Sequence, residues 1–429
     1  MGLGLSVRTP LKSLSKKAAA KELQAFCQVM ADAVSDDVMR AFAAIEDAGD
    51  AAYVTLHPGA EPMSVTIDDG WIVVDVKTSG VGPGYHAALV ELLDRVGVAL
   101  KQPWDWNNED ECVDETGFAL RRDFGRLQEA MLAHFRALCQ LVVDPKKRHD
   151  GPLFMEWNLE GPKVDGPFAA VTPVGTWTRE WFDNASRDAN AKNAAAEFFG
   201  WWNKERDQLD KAKVVATFLW SECRWHPPAD EREKAFLELI LALSDQAAQN
   251  LSKYNVTKDD VAELRAMAQS EPDDAPMPRE GGIGVYRGDA PVMVPGGWWF
   301  EAPGYMYREV EDDGGVLLLW HAGRTIRIST FSPRLPNGRP VAAQQLLRDF
   351  SSEAPSGGKP VRSREGQLMR QHTIVPPSED EEWHHLSGCA AIDGEVAFIT
   401  IAFEDAGEDG WAAEVFNSLR ISEDVPVAE

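Results

Sequence analysis

The sequence predicts an α+β protein: an N-terminal α/β-sheet region, a helical segment, a linker, and a C-terminal α+β domain with an antiparallel sheet. Three observations carry this. Apolar residues recur at helical spacing from Lys16 to Ala48 and give way to three short alternating runs. The stretch 177–268 is dominated by helix-period segments. Beyond 284, alternation with a period of two returns, broken by two helical runs. The division that follows is 1–150 for the N-terminal α+β region, 151–268 for the mainly helical region, 269–283 for an acidic, proline-rich linker, and 284–429 for the C-terminal domain. A chain of 429 residues exceeds the roughly 100–200 expected of one domain.

Taken in order, Leu23, Phe26, Cys27, Met30, Val34, Val38, Phe42 and Ile45 fall on one helical face, so the spacing predicts a helix broken near Ser35 and stopped by Gly49. YVTLH, SVTID and GWIVVDVKT read as strands separated by hairpin punctuation, and Gly84 to Val96 returns to a helical period. Phe118, Leu120, Phe124, Leu127, Met131, Phe135 and Leu138 predict a helix over 117–143, with Asp114 or Thr116 as its cap. LFMEWNL is strand-like. AKVVATFLWSECRW and EKAFLELILALSDQAAQNL are helical, and their neighbourhood holds Trp201, Trp202, Phe218, Trp220, Trp225 and Phe236, which at helical spacing read as core. After SEPDDAPMPREGG come the strands WWFEA, YMYREVE, VLLLWH and TIRISTF, the helix VAAQQLLRDF, the strands LMRQHTIV, WHHLSGCAAI and EVAFITIAFE, and a closing helix WAAEVFNSLR.

That C-terminal order, with WWFEAPGY near its start, EVAFITIAFE late and WAAEVFNSLR last, resembles the PsbP-like fold over the last third of the chain. The resemblance implies a small α+β module of the kind found in bacterial lipoproteins and in chaperone or adaptor proteins for secreted effectors, without enzymatic activity. The N-terminal two-thirds resembles no family.

Composition limits partners more than chemistry. The formal net charge of −26 repels phosphate backbones and anionic lipid heads, which argues against nucleic acid and membrane; it reads either as solubility alone or as attraction for a protein partner with a basic surface. Cys27, Cys112, Cys139, Cys223 and Cys389 are odd in number and scattered, with no zinc-type spacing. No apolar core of signal-peptide length follows MGLGLSVRTPLKSLSKKAAAKEL, and no uncharged apolar run approaches the ~18 residues that span a bilayer. The expectation is a cytoplasmic protein in a reducing compartment.

Two stretches carry possible chemistry. In DDGWIVVDVKTSGVGPGYH, Asp75 and Lys77 share a strand face, and with Asp68 upstream they are similar to the D…D-x-K signature of Mg²⁺-dependent nucleases, in which two carboxylates hold the metal and the lysine positions water. The helix ending at Ala48, the three strands, the helix after Gly84 and the apolar VGVAL at 96–100 would supply that family's core. Against this stand the shortness of the signal, the turn position of Asp68 and the acidic total. The glycines Gly80, Gly82 and Gly84 either gather amides around an anion at a helix N-terminus or relieve strain in a turn stiffened by Pro83.

PWDWNNEDECVDETG, at 103–117, does not match a calcium loop. The run reads either as a plain solvated charge loop or, since its tryptophans pair with carboxylates, as a surface for a cationic protein; the binding residues the second reading suggests are Trp104, Asp105, Trp106, Asp110, Asp114 and Glu115, with Tyr85 and His86 from the neighbouring turn. His384 and His385 point to opposite strand faces and do not share an ion. No catalytic residue, metal ligand or cofactor is assigned in the favoured reading: a non-catalytic interaction protein, an immunity, adaptor or accessory component of a bacterial defence or secretion system. The alternative is the nuclease, with Mg²⁺ as its cofactor.

Overall fold

The fold is that of a computed structural model, which describes residues 2–12, 15–144, 153–154, 168–172, 174–311, 315–353, 359–377 and 382–422. It is an α+β protein with antiparallel sheets, divided into two compact units: Met1–Cys223 with Ala235–Val261, and Arg224–Lys234 with Ala262–Glu429.

The first unit opens with β1 (Gly4–Pro10), α1 (Lys16–Asp32), α2 (Asp37–Phe42), β2 (Ala44–Asp47), β3 (Ala51–Thr55), β4 (Met63–Asp68), β5 (Trp71–Lys77), α3 (Pro83–Ala99), β6 (Cys112–Asp114), α4 (Phe118–Arg121) and α5 (Phe124–Val143). Its sheet has the order β2-β3-β4-β5-β1-β6. The three strand runs fall where the alternation places them, and the helix break lies at Ala33–Asp36, with the Asp36 side chain accepting from Met39 N. Ala44–Asp47 is a strand rather than the end of a helix, because Ala44 to Asp47 pair with Thr55 to Ala52 across a hairpin whose apex is Gly49, at φ +88°. VGVAL is the end of α3 and not a strand, so the strand order expected of the nuclease core is not present there. Asp123, whose side chain accepts from Arg126 N, caps α5.

One face of this sheet is covered and the other is solvated. Ile72, Val74 and Val76 of β5, Val65 of β4 and Leu5 and Val7 of β1 point inward onto α1 and α3 and join a core with Leu23, Phe26, Met30, Leu89, Leu92 and Phe135. The intervening residues Ser64, Thr66, Trp71, Val73, Asp75 and Lys77 line the open face.

The unit continues through β7 (Leu153–Phe154), β8 (Ala169–Thr172), β9 (Gly175–Thr178), α6 (Arg179–Ala185), α7 (Asp188–Phe198) and α8 (Gln208–Thr217). The remainder of the LFMEWNL run lies outside the described residues. Helices α9 (Glu231–Gln246) and α10 (Lys258–Met267) begin in one unit and end in the other. Trp201, Trp202 and Phe218 are buried, and Phe218 meets Phe236 edge-on at 4.7 Å.

The loop between α7 and α8 lies on the start of α3. Gly84 N donates to Trp201 O (3.1 Å) and Trp201 N to Val81 O (2.8 Å). A Cβ on Gly84 would meet the Trp201 ring at 2.2 Å and Asn203 O at 2.3 Å, and Gly82, at φ +116°, would meet Trp201 O at 2.7 Å. Here glycine serves close backbone approach. The loop is in turn held by α8. Lys213 Nζ donates to Ala196 O (2.5 Å) and Phe199 O (2.7 Å), Asp210 accepts from Trp202 N (3.3 Å), and the two side chains are 3.4 Å apart and 1% exposed.

The second unit contains β10 (Asp289–Val294), β11 (Trp298–Pro303), β12 (Tyr307–Val310), β13 (Val316–His321), β14 (Arg324–Phe331), α11 (Ala343–Glu353), β15 (Val361–Glu365), β16 (Leu368–Val375), β17 (His384–Ile392), β18 (Glu395–Phe403), α12 (Asp409–Ser418) and β19 (Arg420–Ile421). A seven-stranded sheet runs β12-β13-β14-β18-β17-β16-β15, and a small sheet runs β10-β11-β19. Cys389, Ala391 and Val396 meet α11 on one face, while Gly388 on the other lies against Phe416 of α12, where a Cβ would fall 2.5 Å from the ring. Helices on both faces account for the consecutive buried residues at 388–391 of β17 and 401–403 of β18.

Gly84→Ala is expected to lower unfolding stability by about 3 kcal/mol, because the methyl group meets backbone as well as ring. The urea midpoint of the first unit's transition measures this.

Candidate functional site

The antiparallel register decides what the first candidate stretch can do. Asp68 lies opposite Trp71, whereas Asp75 lies opposite Ser64 and Ser6. Both carboxylates project from the open face, but Ser64 and Asp68 are four residues apart along β4, a separation of about 13 Å. Two oxygens that share a Mg²⁺ each sit about 2 Å from it. Lys77 is 2.9 and 3.1 Å from the two oxygens of Glu61. The expected Asp68, Asp75 and Lys77 site is therefore not assembled, and no cluster of three or more metal-ligating side chains occurs among the described residues.

The turn before α3 is likewise committed to structure. The amide of Gly84 is taken by Trp201 O, so the helix start is capped by protein backbone, not left to an anion. Tyr85 and His86, expected at a recognition surface, are 1% and 0% exposed. His86 Nδ1 is 2.8 Å from Thr78 Oγ1, and its Nε2 is 3.0 Å from Thr116 Oγ1 and 3.2 Å from Asp114 Oδ1. Asp114 also accepts from Thr116 N (2.8 Å), Thr116 Oγ1 (2.7 Å) and Ala119 N (2.6 Å). Burial alone would raise the Asp114 carboxyl; the hydrogen bond and charge of His86, with the backbone and threonine donors, hold it far below the usual carboxylate range instead. Tyr85, His86 and Asp114 thus leave the list of surface residues: Tyr85 is buried beside the His57 ring, and His86 with Asp114 fastens β6 and α4 to α3.

The tryptophans of the 103–117 loop are pegs, not anchors for a partner. Trp104 Nε1 donates to Leu93 O (2.6 Å) and Trp106 Nε1 to Asp94 Oδ1 (3.0 Å), and both rings pack against the core. Asp105, Asp110 and Glu115 remain exposed. Asp105 accepts from Asn107 N (3.1 Å), and Glu115 from Gly4 N (2.6 Å).

What remains on the open face is an excess of acid. Its two cations are engaged within the fold, Arg8 lying 4.7 Å over the Trp71 ring and Lys77 on Glu61. A shallow concavity of about 410 Å³ is bounded by Glu61, Ser64, Asp75, Lys77, Val113 and Glu115. Val113 and Tyr53 are 45% and 42% exposed. The register sets Tyr53, Ser64, Asp75, Ser6 and Val113 in one row across five strands.

A second concavity, of about 360 Å³, lies where α2, α3 and the 201–206 loop meet. Arg206, 7% exposed, forms an ion pair with Asp36 and stacks 3.5 Å over the Trp201 ring. His57 is buried nearby. Its Nδ1 accepts from Gly59 N (3.1 Å), and burial followed by the charge of Arg206 pushes its pKa well down, so the ring stays neutral. Sequence reasoning passed over His57, Arg206 and the Asp210–Lys213 pair, since nothing in their local spacing distinguishes them from surface charge.

The five cysteines are free and buried, and burial pushes the thiols of Cys27 and Cys112 up to about 11 and those of Cys139 and Cys389 up to about 12. These four thiols are held protonated and are poor nucleophiles. No helix among the described residues is long and apolar enough to cross a membrane.

No protein-family model matches the chain, and no curated protein matches it. Among solved structures it is similar to a protein from Bacteroides thetaiotaomicron VPI-5482, at 16% identity and a TM-score of 0.25, over 32% of this chain and 49% of that one. The chain therefore spans about half the length of that protein. It is also similar to cyanobacterial PsbP (CyanoP) from Synechocystis sp. PCC 6803, at 13% identity and a TM-score of 0.25, over 34% of this chain and 99% of that one. Likeness at this level carries no inference about activity.

Because the folded carboxyl of Asp114 titrates below its unfolded counterpart, its stabilisation is complete above the ordinary carboxylate value of about 3.9 and drains away as pH falls below it. Asp114→Asn should therefore cost stability at pH 7, and the gap from the native chain should narrow steadily toward pH 2. Urea unfolding across that range measures the gap.

Proposed function

We propose that the chain is a non-catalytic interaction protein, an immunity, adaptor or accessory component of a bacterial defence or secretion system, acting in the cytoplasm. It binds a protein partner with a basic surface through the open face of the six-stranded sheet. One observation carries the reading: on that face the cations are engaged internally while Asp68, Asp75 and Glu115 stand exposed, in a chain whose formal net charge is −26. Such a face steers a cationic partner from a distance, and the row through Tyr53, Asp75 and Val113 offers apolar area between polar groups once contact is made. Asp105 and Asp110, on the loop leading into β6, extend the acidic field. The carboxylates of Asp68 and Asp75 are too far apart to bind one metal ion, and the thiols of Cys27, Cys112, Cys139 and Cys389 are held protonated by burial, which favours binding over turnover.

The test is capture at about 0.05 M salt followed by calorimetry on the purified partner, with the native chain beside the triple variant Asp68→Lys, Asp75→Lys, Glu115→Lys. The expected result is a stoichiometric complex that weakens at least tenfold at about 0.5 M salt, where screening shortens to a few ångströms, and is lost in the variant. A complex of unchanged affinity in the variant, or the absence of any saturable protein complex at low salt, would overturn the reading.

A further inference from the structure

The concavity between α2, α3 and the 201–206 loop holds both an unengaged cation and an unengaged carboxylate. Arg95 has its Nε fixed by Ala33 O (2.8 Å), and its two terminal nitrogens have no acceptor among the described residues. Glu205, on the same lining, makes no ion pair among the described residues. Arg206 lies on the same lining, is 93% buried as a side chain and is tied to Asp36 by Nη1 alone, while its Nε and Nη2 are buried without an acceptor. A buried guanidinium edge without an acceptor costs free energy that an incoming oxygen recovers.

The lining carries Arg95, Lys204 and Arg206 against Asp36, Glu91 and Glu205, so a simple anion gains nothing from the overall field. A ligand bearing one charge of each sign meets partners at both ends. Met39 and the Trp201 ring supply apolar wall for whatever lies between, and about 360 Å³ suits a molecule of amino-acid or dipeptide size.

We propose that this concavity is a binding site for a small zwitterion, a free α-amino acid or dipeptide, whose carboxylate is held from the arginine side and whose ammonium is held by Glu205 and Asp36. The site is separate from the sheet face of the interaction reading and does not depend on it.

Calorimetric titration of the full chain with the standard L-amino acids one at a time, and with the dipeptide Gly-Leu, tests this. At least one should bind saturably at one site. Its N-acetyl and methyl-ester derivatives should each bind at least ~10-fold more weakly, since each removes a charge-assisted pair. Arg95→Gln and Glu205→Gln should each weaken binding by about tenfold, with both variants still folded by circular dichroism. If one variant unfolds, the other decides. The proposal falls if no zwitterion binds below about 10 mM, if the blocked derivatives bind as well as the parent, or if both folded variants retain full affinity.

Discussion

A buried ion pair governs the architecture of the first unit. Lys213 and Asp210, one turn apart on α8, are both withdrawn from water, and burial pulls the lysine's pKa down and pushes the carboxyl's up. Both shifts oppose charge, and the pair is retained because each partner has work for its remaining hydrogen-bonding capacity. The ammonium collects the carbonyls at the end of α7, and the carboxylate collects the amides of the following loop. That loop's Trp201 carbonyl then occupies the start of α3, which with α1 covers the buried face of the sheet. Remove the pair and the loop loses its tie to α8; remove the loop and α3 loses its N-terminal partner.

The same logic separates polar groups that hold the fold from those left for solvent. His86, Asp114, Thr78 and Thr116 form a closed set in which nearly every donor has an acceptor, and Trp104 and Trp106 spend their indole N–H groups inside the unit. A saturated network has little to offer a partner. The exposed acids of the sheet face are the complement: they contribute little to stability, since exposed charges are screened, and stand open to long-range attraction.

Much of the fold was legible in the sequence, because strands that bury one face must alternate and helices that bury one stripe must repeat near 3.6. The runs of β3, β4 and β5 and the helices α3, α5 and α12 are of this kind. What escaped depends on partners distant in the chain. β1 sits between β5 and β6 and is paired along both edges, by strands that lie tens of residues further along the chain. Ala44–Asp47 carries the end of a helical stripe yet is drawn into a hairpin. The site readings divide similarly. That Asp75 and Lys77 share an exposed face follows from period two alone. That Asp68 sits a strand's length away, and that Tyr85 and His86 point inward, required the register and the tertiary packing around α3. The glycines of GVGPGYH announced a tight place, but the 199–203 backbone that fills it lies more than a hundred residues downstream.

The dependence of α3 on the clamped loop is most directly measured by native-state hydrogen exchange at the amides of Gly84, Trp201 and Trp202. If the Asp210–Lys213 pair holds the loop as described, these amides exchange as slowly as those in the middle of α3, opening only when the unit unfolds as a whole. Exchange at the rate of an exposed loop while the middle of α3 stays protected would contradict the account.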